Sequence, residues 1–447
     1  MARNRRVSPP NPSKAVVLGF AGAILVGTLL LMLPMSAEGP GGSSFRVAVF
    51  TATSAICVTG LVVVDTATYF TPFGQGVITF LIQIGGLGIM TGASLLFLAV
   101  SRRLGLRGRM IAQTERNALN LGDLRRVLIG VVTFSFLAEA VFALILATRF
   151  WTEAGVGFGT GLWRGVFHSV SAFNNAGFSI FSNNLMGYVT DPTVTLTVAF
   201  AIIAGGLGFP VWLDLRRRRK TPRRWSLHTK ITLITTVGLI VGGWIVLTAL
   251  EWSNNGTLGR LSAPGKLLAG FFASVVPRTA GFNTIDYSHM HPEGLLITDM
   301  LMFVGGGSGS TAGGIKVTTF ALLTMMAIAE VRGRQDVNAF RRRIPGTAQR
   351  QALTIAFAGV NAVVLGALAL MVTSNFGFSE TLFEAISAFG TVGLSTGITP
   401  NLSGAGDAIL IGLMYVGRVS PLTLAVALVL REHDPRFRYP EERPLVG

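Results

Sequence analysis

Apolar residues run through this chain in blocks of membrane length, with the polar residues gathered between them. Eight stretches, 15–34, 74–100, 127–148, 191–215, 229–250, 293–329, 351–373 and 406–430, are mostly apolar over about twenty residues or more, some only across interspersed glycines. Each predicts a helix that crosses a bilayer. The connections alternate in character. Those at 35–73, 149–190, 251–292 and 374–405 are long and rich in Ser, Thr, Gly, Phe and Ala, and each holds an apolar stretch too short to span. That profile predicts a re-entrant segment in each. The intervening connections are basic.

Composition agrees with this pattern. Of 447 residues, 50% are hydrophobic, 13% are charged and 55 are glycine. A soluble chain carries roughly twice that charged fraction, and glycine is common in membrane helices. The net charge of +16 would suit a nucleic-acid binder, but its placement argues otherwise. Segments 1–14, 101–126, 216–230 and 331–350 and the residues from Arg431 onward hold 4, 7, 8, 6 and 4 of the 37 Lys and Arg residues. These are the N-terminus, every second loop and the C-terminus. The positive-inside rule places all of them, both termini included, in the cytoplasm. The charge is therefore topological: membrane lipid is the expected surroundings, and no nucleic-acid partner is expected. The first apolar block is span-length with no convincing cleavage site after it, so it predicts a helix rather than a signal peptide. The single cysteine, Cys57, excludes an internal disulfide framework and a cysteine zinc site.

The four outer segments resemble one another. Ser54–Leu61 (SAICVTGL), Ser171–Phe178 (SAFNNAGF), Val275–Phe282 (VVPRTAGF) and Ser387–Leu394 (SAFGTVGL) align on Gly60, Gly177, Gly281 and Gly393, which stand 117, 104 and 112 residues apart. A second glycine cluster follows each of these by 24 to 28 residues: Gly85-Gly86, Gly205-Gly206, Gly305-Gly306-Gly307 and Gly417, the last followed by Arg418. The repeating unit is helix, short re-entrant helix, glycine turn, helix. The expected fold is an all-α polytopic membrane protein with four pseudo-symmetric units around a central pore. The units run over 1–100, 101–215, 216–330 and 331–430, and 431–447 forms a cytoplasmic tail.

One glycine per unit at the end of a short helix has a chemical use. Stripping water from K⁺ requires a ring of oxygens that replaces its hydration shell. Backbone carbonyls supply it if the chain takes angles that glycine adopts without penalty. The carboxyl end of each short helix also aims partial negative charge at the ring.

These residues resemble the Trk/Ktr/HKT superfamily of potassium transporters, and within it the Ktr-type membrane subunits. The resemblance covers nearly the whole chain and rests on Ala55–Thr66 (AICVTGLVVVDT), Asn174–Phe178 (NNAGF), Pro277–Thr284 (PRTAGFNT) and Gly305–Thr319 (GGGSGSTAGGIKVTT). Trk-type subunits carry two more N-terminal helices, whereas only 14 residues precede the first span here, which favours the Ktr type. The resemblance implies K⁺ uptake, with K⁺ bound at a selectivity filter built from Val58, Thr59, Gly60; Asn175, Ala176, Gly177; Thr279, Ala280, Gly281; and Thr391, Val392, Gly393. In related plant transporters a serine at the first glycine position goes with Na⁺ preference, so Gly60 favours K⁺. The resemblance further implies a bacterial inner-membrane homodimer, regulated by a cytosolic ring of KtrA-like (RCK) nucleotide-binding subunits, with Na⁺ as a candidate activator and no organic cofactor in this chain.

The third unit departs from the others. Gly305, Gly306, Gly307, Ser308, Gly309, Ser310, Thr311, Ala312, Gly313 and Gly314 will not hold a regular helix, and broken helix at membrane depth is tolerated only beside a cavity. They predict a flexible gate loop under the filter. The stretch also fits a loose nucleotide-loop pattern, but Ile315 separates Gly314 from Lys316 where a Walker A motif needs Gly-Lys adjacent. Arg418 lies about 18 Å into the last span, where a lone charge is costly unless it faces water or a partner. It is expected to contact the gate loop and repel cations, with Lys316 as a second contributor.

Other polar residues carry less. His168, His228, His289, His291 and His433 show no metal spacing. Glu139, Asp299 and Glu384 are candidates for buried polar networks. Asp65 and Asp286 are placed to attract cations at the outer mouth, and Cys57 is expected to be buried on a re-entrant helix. No set of catalytic side chains converges, so an enzyme is not expected. The alternative transport reading is a Na⁺- or H⁺-coupled symporter.

Overall fold

A computed structural model describes residues 12–39, 41–103 and 121–430. His433 and the basic tail from Arg431 lie outside the described residues, as do 104–120 of the second basic segment. One plan recurs along the chain. The first unit has α1 (Pro12–Leu31), the short α2 (Phe45–Ile56) and α3 (Pro72–Arg103). The second has α4 (Leu121–Trp151), the short α5 (Phe158–Phe173), then α6 (Pro192–Leu207) and α7 (Phe209–Arg217). The third has α8 (Leu227–Glu251), the short α9 (Ala263–Val275), then α10 (Pro292–Phe303) and α11 (Val317–Val331). The fourth has α12 (Gly346–Thr373), the short α13 (Phe378–Gly390) and α14 (Gly404–Leu430). The four short helices have 12, 16, 13 and 13 residues, too few to span a core of about 30 Å.

Local sequence sets the helix starts. Prolines open α3, α6 and α10 at Pro72, Pro192 and Pro292, where a missing N–H costs nothing and φ is already helical. Asp191 caps α6 by accepting from the amides of Thr193 and Val194 at 2.9 and 3.2 Å, and Ser226 caps α8 through Thr229 at 3.1 Å.

The outward faces are apolar at helical spacing. Ile234, Val237, Val241 and Ile245 are exposed on α8, and Phe357, Val360, Val364 and Leu368 on α12. Such stripes face hydrocarbon rather than water. Among the described residues four unbroken helices are long and apolar enough to cross a bilayer: Pro72–Thr91, Leu128–Trp151, Leu227–Glu251 and Gly346–Thr373. The fourth unit packs back on the first. The Tyr415 hydroxyl donates to the Val17 carbonyl at 2.7 Å, and Arg46 pairs with Asp407 at 2.5 Å.

Two of the eight expected spans are interrupted. The 293–329 stretch stops at Phe303 and resumes at Val317, with the glycine-rich loop between. Its neck is a parallel bridge of Val304 with Ile315. The 191–215 stretch, expected to be continuous, bends by 91° between α6 and α7. Gly208 makes the bend at φ +88°, ψ 146°, a conformation open essentially to glycine alone. A Cβ there would lie 2.9 Å from the Ser308 carbonyl oxygen, so the loop of the third unit occupies the space a straight helix would need. A hairpin of β1 (Asn338–Ala339) and β2 (Arg342–Arg343) was also not foreseen. Its tip residues Phe340 and Arg341 take φ +49° and +63°, as a tight type I′ turn requires.

Candidate functional site: a glycine ring between a vestibule and a buried loop

The chain leaves each short helix in the same strained way. Val58, Asn175, Thr279 and Thr391 have φ of +55°, +60°, +70° and +49°, and two residues later Gly60, Gly177, Gly281 and Gly393 have φ of +93°, +71°, +69° and +92°. Positive φ in a β-branched residue costs about 1 kcal/mol or more, and three of the four leading residues are β-branched. Hydrogen bonds back to the short helices hold the strain. The amides of Thr59, Ala176, Ala280 and Val392 donate to the carbonyls of Ser54, Ser171, Val276 and Ser387 at 2.7 to 3.0 Å. The amides of Gly60 and Gly393 donate to the Ser54 and Ser387 hydroxyls at 3.0 and 3.1 Å. With these donors turned toward the short helices, the strand carbonyls are left to face elsewhere.

The four glycines form a closed ring. A Cβ on Gly60 would lie 2.3 Å from the Ala176 carbonyl oxygen; on Gly177, 2.7 Å from that of Ala280; on Gly281, 2.3 Å from that of Val392; on Gly393, 2.1 Å from that of Thr59. Each unit thus meets the next in order and the fourth meets the first, so units 1 and 3 are diagonal, as are units 2 and 4. The Thr59, Thr279 and Thr391 hydroxyls are buried with no protein partner among the described residues. Above the ring lies a cavity of about 280 Å³ lined from all four units, with Asp65 and Asp286 among its walls.

The other end of the ring is covered by the loop of the third unit. Thr311 donates to Asn175 Oδ1 at 3.0 Å and to the Phe173 carbonyl at 3.3 Å. Gly313 abuts the Thr391 side chain and Gly314 abuts Gly390. The Gly307 amide donates to the Gly206 carbonyl at 2.8 Å, and Val317 donates back to Gly306 at 3.0 Å. Arg418 is 2% exposed. It donates to the Thr311 carbonyl and, at 3.0 Å, to that of Gly85. Lys316 donates to the carbonyls of Ala312 and Gly313 of its own loop. The expected ring residues, the loop 305–314, Lys316 and Arg418 thus lie next to one another, with Asp65 and Asp286 in the wall of the vestibule.

The second glycine cluster has a separate task. A Cβ on Gly85, Gly205 or Gly417 would lie 2.1, 1.8 or 1.8 Å from the carbonyl oxygen of Ile56, Phe173 or Phe389. These carbonyls end the short helices of the same units. Glycine lets each short helix seat its carboxyl end against the second span. Gly305 departs from this pattern and meets the Gly313 carbonyl instead. A methyl at Gly205 has to push backbone aside, and overpacking of this kind costs about 1–3 kcal/mol. The Gly205→Ala protein should melt several degrees lower in detergent. An unchanged melting temperature would mean that this contact has slack.

Arg278 went unread in the sequence, whereas Glu139 was expected in a buried polar network. Arg278, 5% exposed, donates to the Gly305 carbonyl at 3.2 Å, while its own carbonyl accepts from Asn175 Nδ2 at 3.2 Å. A charged residue inside an apolar re-entrant segment was the available sign. Behind the ring, Asn174 Nδ2 donates to Glu139 Oε1 and Gln83 Oε1, both at 3.0 Å, which ties units 1 and 2 together. Cys57 is fully buried where α2 ends. Asp299 is buried with Oδ1 unpartnered among the described residues.

Comparison with known proteins gives a family context. The family model TrkH, described as a cation transport protein, matches residues 24–439. The chain is 43% identical to the Ktr system potassium uptake protein B of Bacillus subtilis (strain 168), over 98% of this chain and 97% of that protein. It is 41% identical to the protein of the same name from Vibrio alginolyticus, over 97% and 94%. Its fold matches the crystal structure of the potassium transporter TrkH from Vibrio parahaemolyticus with a TM-score of 0.71 at 18% identity, covering 96% of this chain and 86% of that one.

Proposed function

The chain belongs to the TrkH family of cation transport proteins, and from that premise we propose that it is the ion-conducting membrane subunit of a bacterial K⁺ uptake system. The observation that carries the proposal is the closed ring of four positive-φ glycines, each beside a carbonyl of the next unit. A bare K⁺ on the ring axis exchanges its water shell for these oxygens. The ligands are the carbonyls of Val58, Thr59, Gly60, Asn175, Ala176, Gly177, Thr279, Ala280, Gly281, Thr391, Val392 and Gly393. The unpartnered threonine hydroxyls stand ready as further oxygens. The loop 305–314 is the gate: it closes the inner end of the ring, and Arg418 and Lys316 place positive charge there. The short helices aim their negative ends at the ion.

The relatives named as Ktr system proteins support a two-component arrangement. The chain acts with a cytosolic KtrA-like nucleotide-binding ring on its basic face, as a homodimer in the inner membrane with both termini cytoplasmic, and Na⁺ acts as an activator. A bacterium stripped of its own K⁺ uptake systems and given this chain with such a partner should regain growth on limiting K⁺. No K⁺ or Rb⁺ uptake, with the protein present in the membrane, would overturn the proposal.

Asp286 gives the outer mouth a pH signature. Burial opposes its ionisation, but the Ser288 hydroxyl and amide and His289 hydrogen-bond the carboxylate, and together they hold its pKa below the usual value of 3.8. A depressed carboxylate is charged above its folded pKa and loses charge only as pH falls through it. Cation attraction by Asp286 should therefore be constant from neutral pH down to about 5. In a His289→Asn background, which removes a neighbouring group able to change charge between pH 5 and 8, the difference in KM for K⁺ between Asp286 and Asp286→Asn should be the same at pH 7.5 as at pH 5.5. A difference that vanished at pH 5.5 would contradict the assignment.

A further inference from the structure

The four units share their main chain around the ring, but not the side chains that brace it from behind. Nine residues before each ring glycine stand Thr51, His168, Phe272 and Glu384; two residues after it stand Val62, Ser179, Asn283 and Ser395. Only the second and fourth units pair an ionisable group with a serine at this register, and these units are diagonal across the axis.

In the second unit, His168 is fully buried. Its Nδ1 lies 2.8 Å from the Arg164 carbonyl oxygen. A carbonyl can only accept, so Nδ1 carries the proton. In the neutral ring Nε2 is then an acceptor, and the Ser179 hydroxyl donates to it at 2.9 Å. Ser179 Oγ in turn accepts from the Phe181 amide at 3.1 Å, and the imidazole stacks on Phe181 with centroids 4.6 Å apart.

The fourth unit builds the same brace from different atoms. Glu384 is fully buried. Its Oε1 accepts from the Thr399 hydroxyl, which also bonds the Ser395 hydroxyl at 3.1 Å. Ser395 Oγ accepts from the Gly397 amide at 2.9 Å, as Ser179 does from Phe181. Glu384 Oε2 has no partner among the described residues, and the hydrogen bond through Oε1 runs toward the vestibule. Ser179, Ser395 and Thr399 all line that vestibule.

We propose that His168 and Glu384 are positioning residues for ion selection: two diagonal struts that run from the short helices to the chain just beyond the ring glycine and fix the outer aperture. The inference deepens the pore reading and rests on it. K⁺ and Na⁺ differ in the ligand distance they prefer, and a ring that relaxes inward stops discriminating. Among the described residues the first and third units carry no such strut, and their outer strands instead pack Val62 and present Asn283. Support of the aperture is therefore two-fold in a scaffold that is four-fold in its backbone.

The test is K⁺ uptake with Na⁺ as competitor, in cells lacking their own K⁺ uptake systems. Glu384→Leu and His168→Phe remove the acceptor; phenylalanine already stands at this register in the third unit. Each should lower K⁺-over-Na⁺ preference about threefold to tenfold, the worth of one net hydrogen bond, with smaller change in maximal K⁺ uptake. Glu384→Gln keeps an oxygen facing Thr399 and should restore the preference. Ser179→Ala and Ser395→Ala approach the same struts from the vestibule, where folding is least at risk. Ser179→Ala should add nothing to His168→Phe. Unchanged preference in both serine variants would overturn the proposal. So would a Glu384→Gln protein that matches Glu384→Leu, since charge and not position would then be the cause. Gly60→Ser run alongside separates the two levels. If it too leaves preference unchanged, the pore reading fails; if it alone alters preference, only the struts do.

Discussion

Serine in place of Gly60 should cost the protein most of its preference for K⁺ over Na⁺. The argument is local. Gly60 has φ +93°, where a side chain adds about 1–2 kcal/mol of strain. Its Cβ would lie 2.3 Å from the Ala176 carbonyl oxygen, 3.1 Å from the Gly177 Cα and 3.2 Å from the Ala176 carbonyl carbon. All three are backbone atoms of the neighbouring unit, so relief requires the second strand to move or the first to turn. Either motion displaces ring carbonyls by a sizeable fraction of an ångström. The difference between a K⁺ and a Na⁺ cage is of that order, so a loss of discrimination of about tenfold or more is expected, equivalent to about 1.4 kcal/mol. Uptake assays with varied Na⁺ at fixed K⁺ read it directly. Ion preference equal to wild type, in protein that reaches the membrane in normal amount, would remove Gly60 from the conduction path. Because the ring closes through Gly393 and Thr59, the corresponding change at Gly393, whose Cβ meets the Thr59 carbonyl oxygen at 2.1 Å, should act in the same direction.

Repetition decided how much of this was legible in the sequence. Four copies of one pattern made Gly60, Gly177, Gly281 and Gly393 stand out, and the same register exposed Gly85, Gly205 and Gly417 without revealing that their task is to seat the short helices. The alternation of basic and neutral connections marked the neutral ones as the places of the four short helices. What could not be read were the features that break the repeat. Gly208 bends its helix because a loop 100 residues away fills the adjacent space, and no local pattern reports a contact of that range. Arg278 stands alone in its register for the same reason: its partner, the Gly305 carbonyl, belongs to the glycine-rich loop that only the third unit carries. His168 and Glu384 occupy equivalent positions but differ chemically, so comparing unit with unit hides what they share, while a three-dimensional hydrogen-bond map shows His168 bonded to Ser179 and Glu384, expected only as a polar-network member, tied through Thr399 to Ser395.

Removing the Arg418 guanidinium should open the pore. In the structure this side chain clamps the glycine-rich loop from outside it: one nitrogen bonds the Thr311 carbonyl, another the Gly85 carbonyl on α3. Thr311 is also the loop residue that grips the ring strand, through Asn175 Oδ1 and the Phe173 carbonyl. At Thr311 the loop is therefore held from two sides, and the outer pin belongs to α14. Hydrogen bonds from a charged donor contribute about 1.5–3 kcal/mol each. Losing the one to Thr311 shifts the closed-to-open balance by about tenfold to a hundredfold, and losing the positive charge lowers the barrier to a cation in the same passage. Arg418→Gln should accordingly raise K⁺ flux by about tenfold or more in the absence of any activating partner. Deleting 305–314 should raise it at least as far, and adding Arg418→Gln to that deletion should raise it by much less than in the intact chain, because the clamp is gone and only the charge effect remains. A substantial further rise in the combined variant would assign Arg418 a role as an electrostatic barrier independent of the loop. Flux at or below wild type in Arg418→Gln, with the protein present in the membrane, would mean that the clamp is not what keeps the loop shut.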